Sequence, residues 1–549
     1  MTSEAFILDG YVDEPACLGV PPYISPYIRY CAGVLREHGY AVRYTTIDAV
    51  RDDPTLLRTA ANAALLLVIA GITVPGKYLA GTPATLTELS QIGTLLRGPT
   101  TVIGGPIGFG YAPQGGAKAV ETAVAGFDHL LRGSPSAALD ALLSGGEPEG
   151  TASYADIDRW SVLGAGVVAE HPMFPRVMVE LETAQGCARA ACGGCSFCTE
   201  PFYGLPRYRS ISGLAAEVAA LHEAGARHFR LGRQPDLLAY GTGGDAEFPR
   251  PRPDLIEDLF TRVRAAAPDL ETLHIDNVNP GTIARHEEES RAALQAIVAG
   301  HTPGDVAAFG METADPAVIA ANNLKALPDA VLRAVEIVNE VGGARRNGVP
   351  DLLPGINFVC GLAGETPATY EQNRAFLQQV LDAGLMVRRV NIRQLMPFAG
   401  TRAYEENTLG KHAREFRAFK EWVHKHFDLP MLQRVFPAGT LLRDVGVEKP
   451  GATSFGRQMG SYPILVGLPL QVPAGTALDA VVVGWGHRSI TALPAPIPVN
   501  TLPHTALRWI PGLGKKTVPK VIVKRPFRDL AGFRKVAGKT RVEEYLSFE

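Results

Sequence analysis

Short apolar runs alternate with stretches of helical periodicity from the first residues onward. Phe6–Leu8 reads as a strand, and Tyr27–His38 as a helix whose apolar residues recur at helical spacing until Gly39 stops it. Ala41–Thr45 reads as a second strand, Ala64–Ile72 as a strand of the fully buried kind, and Leu86–Leu96 as a helix. Thr101–Ile103 is a strand that runs into Gly104-Gly105-Pro106, and Phe127–Leu131 and the helix Ser136–Leu143 complete the series. Such alternation predicts a parallel sheet covered on both faces. The Gly/Glu/Pro-rich stretch Ser144 to Gly150 is the first linker the pattern offers.

From Val177 the alternation restarts. Strands are predicted over Val177–Thr183, His228–Leu231, Thr272–Asp276, Val306–Gly310, Gly355–Cys360 and Arg388–Leu395. Amphipathic helices lie between them, such as Leu214–Ala224, with Leu214, Val218 and Leu221 on one face and Gly225 as the stop. Six βα units predict a barrel or partial barrel, whose chemistry belongs at the C-terminal ends of the strands. After about Pro430, Tyr462–Val466, Ala480–Val483 and Ile490–Ala492 read as strands between Gly/Pro turns, which predicts a small β-rich domain. The expected fold class is α/β. The expected parts are a Rossmann-like domain over 1–150, a partial (β/α)6 barrel over 170–430, a β-rich domain over 431–500 and a basic helical hairpin over 501–549.

Composition narrows the options. A chain of 549 residues with 46% hydrophobic content can bury several cores. Net charge is −3, so the whole molecule is no polyanion binder, yet residues 515–549 carry ten Lys/Arg against four acids. The N-terminus has early acids and no apolar h-region, and the longest apolar stretch, Ala61 to Ile72, is too short to span a bilayer. A cytoplasmic protein with no membrane partner is expected. Four of the seven cysteines fall within twelve residues, which in a reducing compartment points to metal or redox chemistry.

That run is Gly186-Cys187, Cys192 and Cys195-Ser196-Phe197-Cys198, directly after the first barrel strand. Iron–sulfur clusters need closely spaced thiolates on an irregular loop, and three ligands leave one iron open to a small molecule. A zinc site closed by all four cysteines is the plainer alternative, although zinc sites usually draw two pairs from separated loops. Cys195-Ser196-Phe197-Cys198 resembles the second half of the CxxxCxΦC signature of the radical-SAM superfamily; where the first half expects a cysteine stands Ala191. The resemblance implies a [4Fe–4S] cluster on Cys187, Cys195 and Cys198, with the loop lengthened and Cys192 either replacing Cys187 or spare. It puts Phe197 near the adenine of S-adenosylmethionine. Phe309–Thr313 resembles the superfamily's GxES-type segment, implying that Glu312 orients that cofactor. Asn357–Thr366 and Arg393-Gln394 with the following PFAGT resemble its fifth and sixth strands, placing Arg393 at the cofactor site. Roughly residues 170–425 share the resemblance.

The segments LREHGYAVRY, LLLVIAG, VIGGP and FDHLLRGSPSAALDALL resemble the cobalamin-binding Rossmann-like domain that often precedes this branch. Ligands of doubly wound sheets sit outside the carboxyl ends of the strands. Gly71, Thr73, Gly81, Thr82, Gly104, Gly105 and Pro106 are therefore the expected contacts, their small size letting backbone approach a flat corrin ring. No DxHxxG motif supplies a lower cobalt ligand, and His38 is expected to cap a helix or lie at the surface. A domain of purely structural role is the alternative. Near the C-terminus, Ile510 to Lys516 resembles a helix-hairpin-helix turn, which implies a nucleic-acid contact; a packing hairpin with solvated lysines explains it equally. The preceding β-rich segment resembles TRAM-like barrels of tRNA modifiers.

Together these resemblances imply a cobalamin-dependent radical-SAM methyltransferase that C-methylates an unactivated carbon through a 5′-deoxyadenosyl radical and methylcobalamin. The chain further resembles the archaeal glutamine C-methyltransferases of methyl-coenzyme M reductase, which implies that protein as substrate. The alternative is a methylthiotransferase-like tRNA modifier. That class needs three more cysteines, and the N-terminal part offers only Cys17 and Cys31. A zinc and nucleic-acid binding protein is a third reading, and it leaves the strand-end motifs unexplained.

Overall fold

The computed structural model describes residues 3–12, 22–71, 81–112, 114–120, 124–244, 246–346, 348–406 and 408–549. Its first sheet contains β1 (Glu4–Asp9), β3 (Ala41–Thr46), β4 (Leu65–Ile69), β5 (Thr100–Gly104) and β6 (His129–Leu130), all parallel, in the order β3-β1-β4-β5-β6. Period-two alternation sorts its side chains onto two faces. Leu66, Val68 and Ile103 pack with Leu89 and Ile92 of helix α2 (Leu86–Leu95). Leu65, Leu67 and Val102 pack with Ile28 and Leu35 of helix α1 (Pro26–Glu37), in a core continuous with the barrel. Burial on both sides explains why β4 is apolar at every position.

The strand β2 (Tyr23–Ile24) leaves this sheet and pairs with the first barrel strand, Tyr23 opposite Met178 and Ile24 opposite Val179. Helix α1 follows, so one helix serves both layers. Its fully buried Arg29 donates to Glu217 Oε1 at 2.6 and 2.9 Å and to the Glu180 carbonyl at 2.6 Å. Burial would raise the Glu217 carboxyl, but Arg29 and Arg209 together hold it below its ordinary range. Helix α3 (Tyr154–Gly164), absent from the sequence reading, packs along α1. There a side chain at Gly33 or Gly164 would run into the Trp160 or Arg29 carbonyl, so only glycine lets the two helices touch.

The partial barrel comprises β7 (Met178–Glu182), helix α4 (Ile211–Glu223), β8 (His228–Gly232), β9 (Thr272–Ile275), β10 (Asp305–Glu312), β11 (Leu352–Cys360) and β12 (Arg389–Gln394). The strands pair in parallel in chain order, with β9 and β10 joined through the single bridge Asn277–Ala308. All six strands expected from the periodicity are present, within a few residues of their expected bounds.

The C-terminal part corrects two expectations. A continuous helix over residues 413–435 crosses the boundary set at Pro430, and its π-helical stretch Val423–Asp428 directly precedes the turn that holds this proline. The β-rich region is a closed five-stranded barrel of β13 (Leu441–Lys449), β14 (Ser454–Arg457), β15 (Leu465–Leu468), β16 (Ala477–Trp485) and β17 (Ser489–Pro494). Its first two strands escaped notice because charged residues such as Arg443, Asp444, Glu448 and Arg457 interrupt their apolar positions. The tail helices α5 (Thr517–Lys524) and α6 (Leu530–Ala537) bury Val518, Val521 and Phe533 against Val481 and Val483 of β16. The expected linker is partly structured, with Glu149-Gly150 pairing with Arg132-Gly133. Among the described residues no helix is long and apolar enough to cross a membrane.

Candidate active site

The cysteine loop leaves the carboxyl end of β7 through Gly186. This residue has φ +90°, and a Cβ there would lie 2.6 Å from the Leu205 carbonyl. Its N–H donates to Glu200 Oε1 at 2.9 Å, and the Arg233 guanidinium holds the other Glu200 oxygen at 3.0 Å, stitching the loop to the end of β8. Asn323 Nδ2 donates to the carbonyls of Cys192 and Gly194 at 3.0 and 2.8 Å, while Ser196 hydrogen-bonds Asn322 at 2.7 Å. The loop is thus fastened to the segment that follows β10.

Cys187, Cys195 and Cys198 are partly buried and close enough to influence one another's ionisation. Burial pushes the Cys187 thiol up to about 11 and raises those of Cys195 and Cys198, while Lys325 pulls the first two back down. Cys192 is exposed, and its sulfur donates to the Arg189 carbonyl at 3.2 Å. Among the described residues no three His, Cys, Asp or Glu side chains converge as a single-ion site. Cys31 lies buried within α1, and Cys17 lies outside the described residues.

Above the barrel stand the other expected residues. Glu312 ends β10 beyond a bulge, with φ +67°; burial pushes its carboxyl up to about 7 against the pull of Lys325 and Arg393. A Cβ at Gly310 would lie 2.5 Å from Glu312 Oε1 and 2.8 Å from Lys325 Nζ, so both groups crowd over that glycine. Phe197 packs against the buried cluster that includes Leu362 and Leu395, just beyond the ends of β11 and β12, and Val359 covers the same cluster. Arg393 is exposed on β12. Lys325, Glu200 and Arg233 were missed by the sequence reading; the one available signal was a single lysine in the otherwise uncharged run NNLKAL.

The carboxyl edge of the first sheet is different. Asp9 ends β1 and Gly10 and Tyr11 follow it, Gly71 lies beyond β4, and Gly104 ends β5 with Gly105 and Pro106 after it. Gly105 has φ +101°, with its Cβ position 2.7 Å from the Ala70 carbonyl. Gly81 and Thr82 already donate their N–H groups to Asp48 Oδ2, at 2.6 and 3.3 Å, so those donors are spent within the chain. Thr73 lies outside the described residues, and His38 caps α1 and pairs with Asp140 at 2.8 Å. The segment after β5 crosses to the barrel. Gly116 N–H donates to the Leu395 carbonyl at 3.0 Å, Ala119 N–H to the Pro397 carbonyl at 2.8 Å, and Phe109 meets Tyr203 edge to face. The two carboxyl edges therefore face each other.

This arrangement has a counterpart among solved structures. The chain superposes on the radical S-adenosylmethionine methyltransferase TsrM from Kitasatospora setae, solved with cobalamin and a [4Fe–4S] cluster bound, with a TM-score of 0.52 over 74% of each chain. On the same protein with tryptophan substrate and a SAM analogue bound the TM-score is 0.51 over 74% of this chain and 76% of that one; identity is 15% in both cases, so the likeness defines a class of fold. No family model matches the chain. An uncharacterized protein of Archaeoglobus fulgidus is 41% identical over 539 residues, covering 98% of both chains. One of Methanocaldococcus jannaschii is 43% identical over 511 residues, covering 89% of this chain and 93% of its own. The chain belongs to the family of these archaeal proteins.

Proposed function

We propose that this protein is a cobalamin-dependent radical S-adenosylmethionine methyltransferase. The observation that supports this most is the juxtaposition of three grouped thiols above the barrel with the glycine-lined edge of the facing sheet. Cys187, Cys195 and Cys198 would hold the cluster, with Cys192 dispensable; Phe197, Glu312 and Arg393 would hold S-adenosylmethionine; Gly71, Gly104, Gly105 and Pro106 would border the corrin. The donor set fits: soft sulfur ligands on a wrapped loop suit iron and sulfide, and small residues suit a wide flat ring. When bound, these groups supply a carbon-centred radical and a transferable methyl group. The chain's own part is placement. Phe197 offers an apolar face, Lys325 offsets negative charge beside the thiols, and Phe109, Gly116 and Ala119, seated on Tyr203, Leu395 and Pro397, close one flank against water. TsrM's bound cobalamin and cluster add support by analogy of fold.

The test is anaerobic reconstitution with iron, sulfide and hydroxocobalamin, followed by desalting and an ultraviolet–visible spectrum. Iron–sulfur absorption with stoichiometric cobalamin bands is expected, along with 5′-deoxyadenosine on reduction with S-adenosylmethionine. Cluster absorption without retained cobalamin overturns the methyl-transfer step. The resemblance to the methyl-coenzyme M reductase glutamine methyltransferases supports a protein target; the site itself singles out no particular glutamine.

A second reading, RNA modification, draws on the exposed Lys515 and Lys516, whose turn at Gly512 lies against Lys539: a Cβ at Gly512 would sit 3.2 Å from the Lys539 carbonyl. It requires salt-dependent binding of labelled single-stranded RNA that Lys515→Glu with Lys516→Glu abolishes.

A further inference from the structure

One layer of the barrel interior is left unused by the chemistry at its rim. In β11, Ile356 and Phe358 are fully buried on the outer face, Phe358 meeting Phe419 edge to face at 5.5 Å. By alternation Gly355, Asn357 and Val359 face inward. In β12, buried Val390 turns outward, which puts Arg389, Asn391 and Arg393 on the inner face. The register sets Gly355 opposite Arg389, Asn357 opposite Asn391, and Val359 opposite Arg393. Two carboxamides therefore stand side by side, one strand spacing of about 4.8 Å apart, between two guanidinium rungs.

The floor below this rung comes from the C-terminal barrel. Tyr462 inserts its ring beneath Arg389, whose guanidinium lies 4.0 Å from the ring centroid, and its hydroxyl donates to Asp276 Oδ1 at 3.2 Å. Arg230, buried among Glu180, Asp276 and Tyr462, completes that layer. The asparagine rung lies between this floor and the Glu312–Arg393 rim, and both asparagines are partly exposed to the interior. Asn391 Nδ2 is itself shielded from solvent and makes no hydrogen bond among the described residues. A shielded donor left without its bond destabilises the empty site, and an incoming acceptor would restore what is missing.

We propose that Asn357 and Asn391 form the substrate-recognition platform of this site and that the group they take is a neutral amide. A carboxamide offers a donor and an acceptor in one plane, the complement of another amide. The flanking guanidiniums disfavour a cation, and an ester supplies no N–H. The inference rests on the methyltransferase proposal only in taking the barrel interior as the place where substrate is held.

Saturation-transfer NMR on the reconstituted full chain tests it, with N-methylacetamide, acetamide and the isosteric ester methyl acetate as probes. The amides are expected to bind and the ester to bind about tenfold more weakly, the equivalent of one hydrogen bond. Preference for N-methylacetamide assigns a peptide main chain, and preference for acetamide a primary amide. Asn357→Leu with Asn391→Leu should weaken amide binding about tenfold or more. The isosteric Asn391→Asp, which keeps the packing, should do so while retaining the cluster absorption. Equal binding of ester and amide, absence of amide binding by the unaltered protein, or unchanged binding in the variants overturns the proposal. Amide binding by a protein that cleaves no S-adenosylmethionine would instead overturn the methyltransferase proposal and leave this one standing.

Discussion

The two facing carboxyl edges are built from the same parallel βα grammar and carry opposite chemistry. The first sheet ends in glycines and backbone, with few charges beyond Asp9 and the self-satisfied Asp48. The barrel ends in thiols, Glu312, Lys325 and Arg393, over an interior stacked with Glu180, Arg230, Asp276 and Arg389. A bare edge suits a large ligand recognised by shape. A charged one suits small polar ligands recognised by direction. What separates these edges is the choice of strand-end residues together with strand order: the first sheet runs β3-β1-β4-β5-β6, whereas the barrel strands follow one another in chain order.

The largest effect should come from breaking the charged edge at its thiols. Cys195→Ala or Cys198→Ala should bring iron and sulfide content after reconstitution down to background, while Cys192→Ala should load as fully as the unaltered protein. Equal loss in all three would place Cys192 among the ligands and redraw that edge. Next is the joint between the two regions. Arg29→Met leaves Glu217 buried with only Arg209, and unfolding in urea should show a loss of about 3 kcal/mol; a change below half of that would make the joint a minor one.

Gly105→Ala sharpens the comparison from the bare side. A side chain at φ +101° that crowds the Ala70 carbonyl should cost about 1–3 kcal/mol and lower cobalamin retention. Gly145→Ala, also at positive φ but in open space, should leave retention unchanged. The smallest effect concerns pH. The Glu312 carboxyl is raised by burial to about 7 from an ordinary 4.5, so the folded state holds that proton more tightly than the unfolded chain does. Its contribution to stability is complete below pH 4.5 and is lost as pH rises through 7. Melting of Glu312→Gln against the unaltered protein should therefore show the variant gaining on the order of 1 kcal/mol between about pH 5 and pH 8. A difference independent of pH would mean that Glu312 is ionised throughout.

Periodicity made the first sheet and the six barrel strands legible, because strands such as β4, β7 and β8 are buried on both sides; β12, whose inner positions are polar, was placed by its position in the βα alternation. The closed C-terminal barrel was half legible: small barrels carry charged residues on their outer faces, and β13 and β14 lose their alternation to them. Local spacing likewise revealed the cysteines and Glu312. It could not assign Lys325 or Arg233, because only the return of the chain after β8 and β10 brings them to the loop, nor Glu200, which lies two residues beyond Cys198 but whose partners Gly186 and Arg233 only the fold supplies. The pairing of Asn357 with Asn391 needed strand register, which no single segment encodes.

The crossing of β2 has an architectural consequence. Since β1 and β3 belong to one sheet and the short strand between them to the other, the two layers are woven together and cannot swing apart as hinged halves. The edges left open for a bulky substrate are those of β12 and β2, which pair with no further strand among the described residues, and the first of these is partly covered by Gly116 and Ala119.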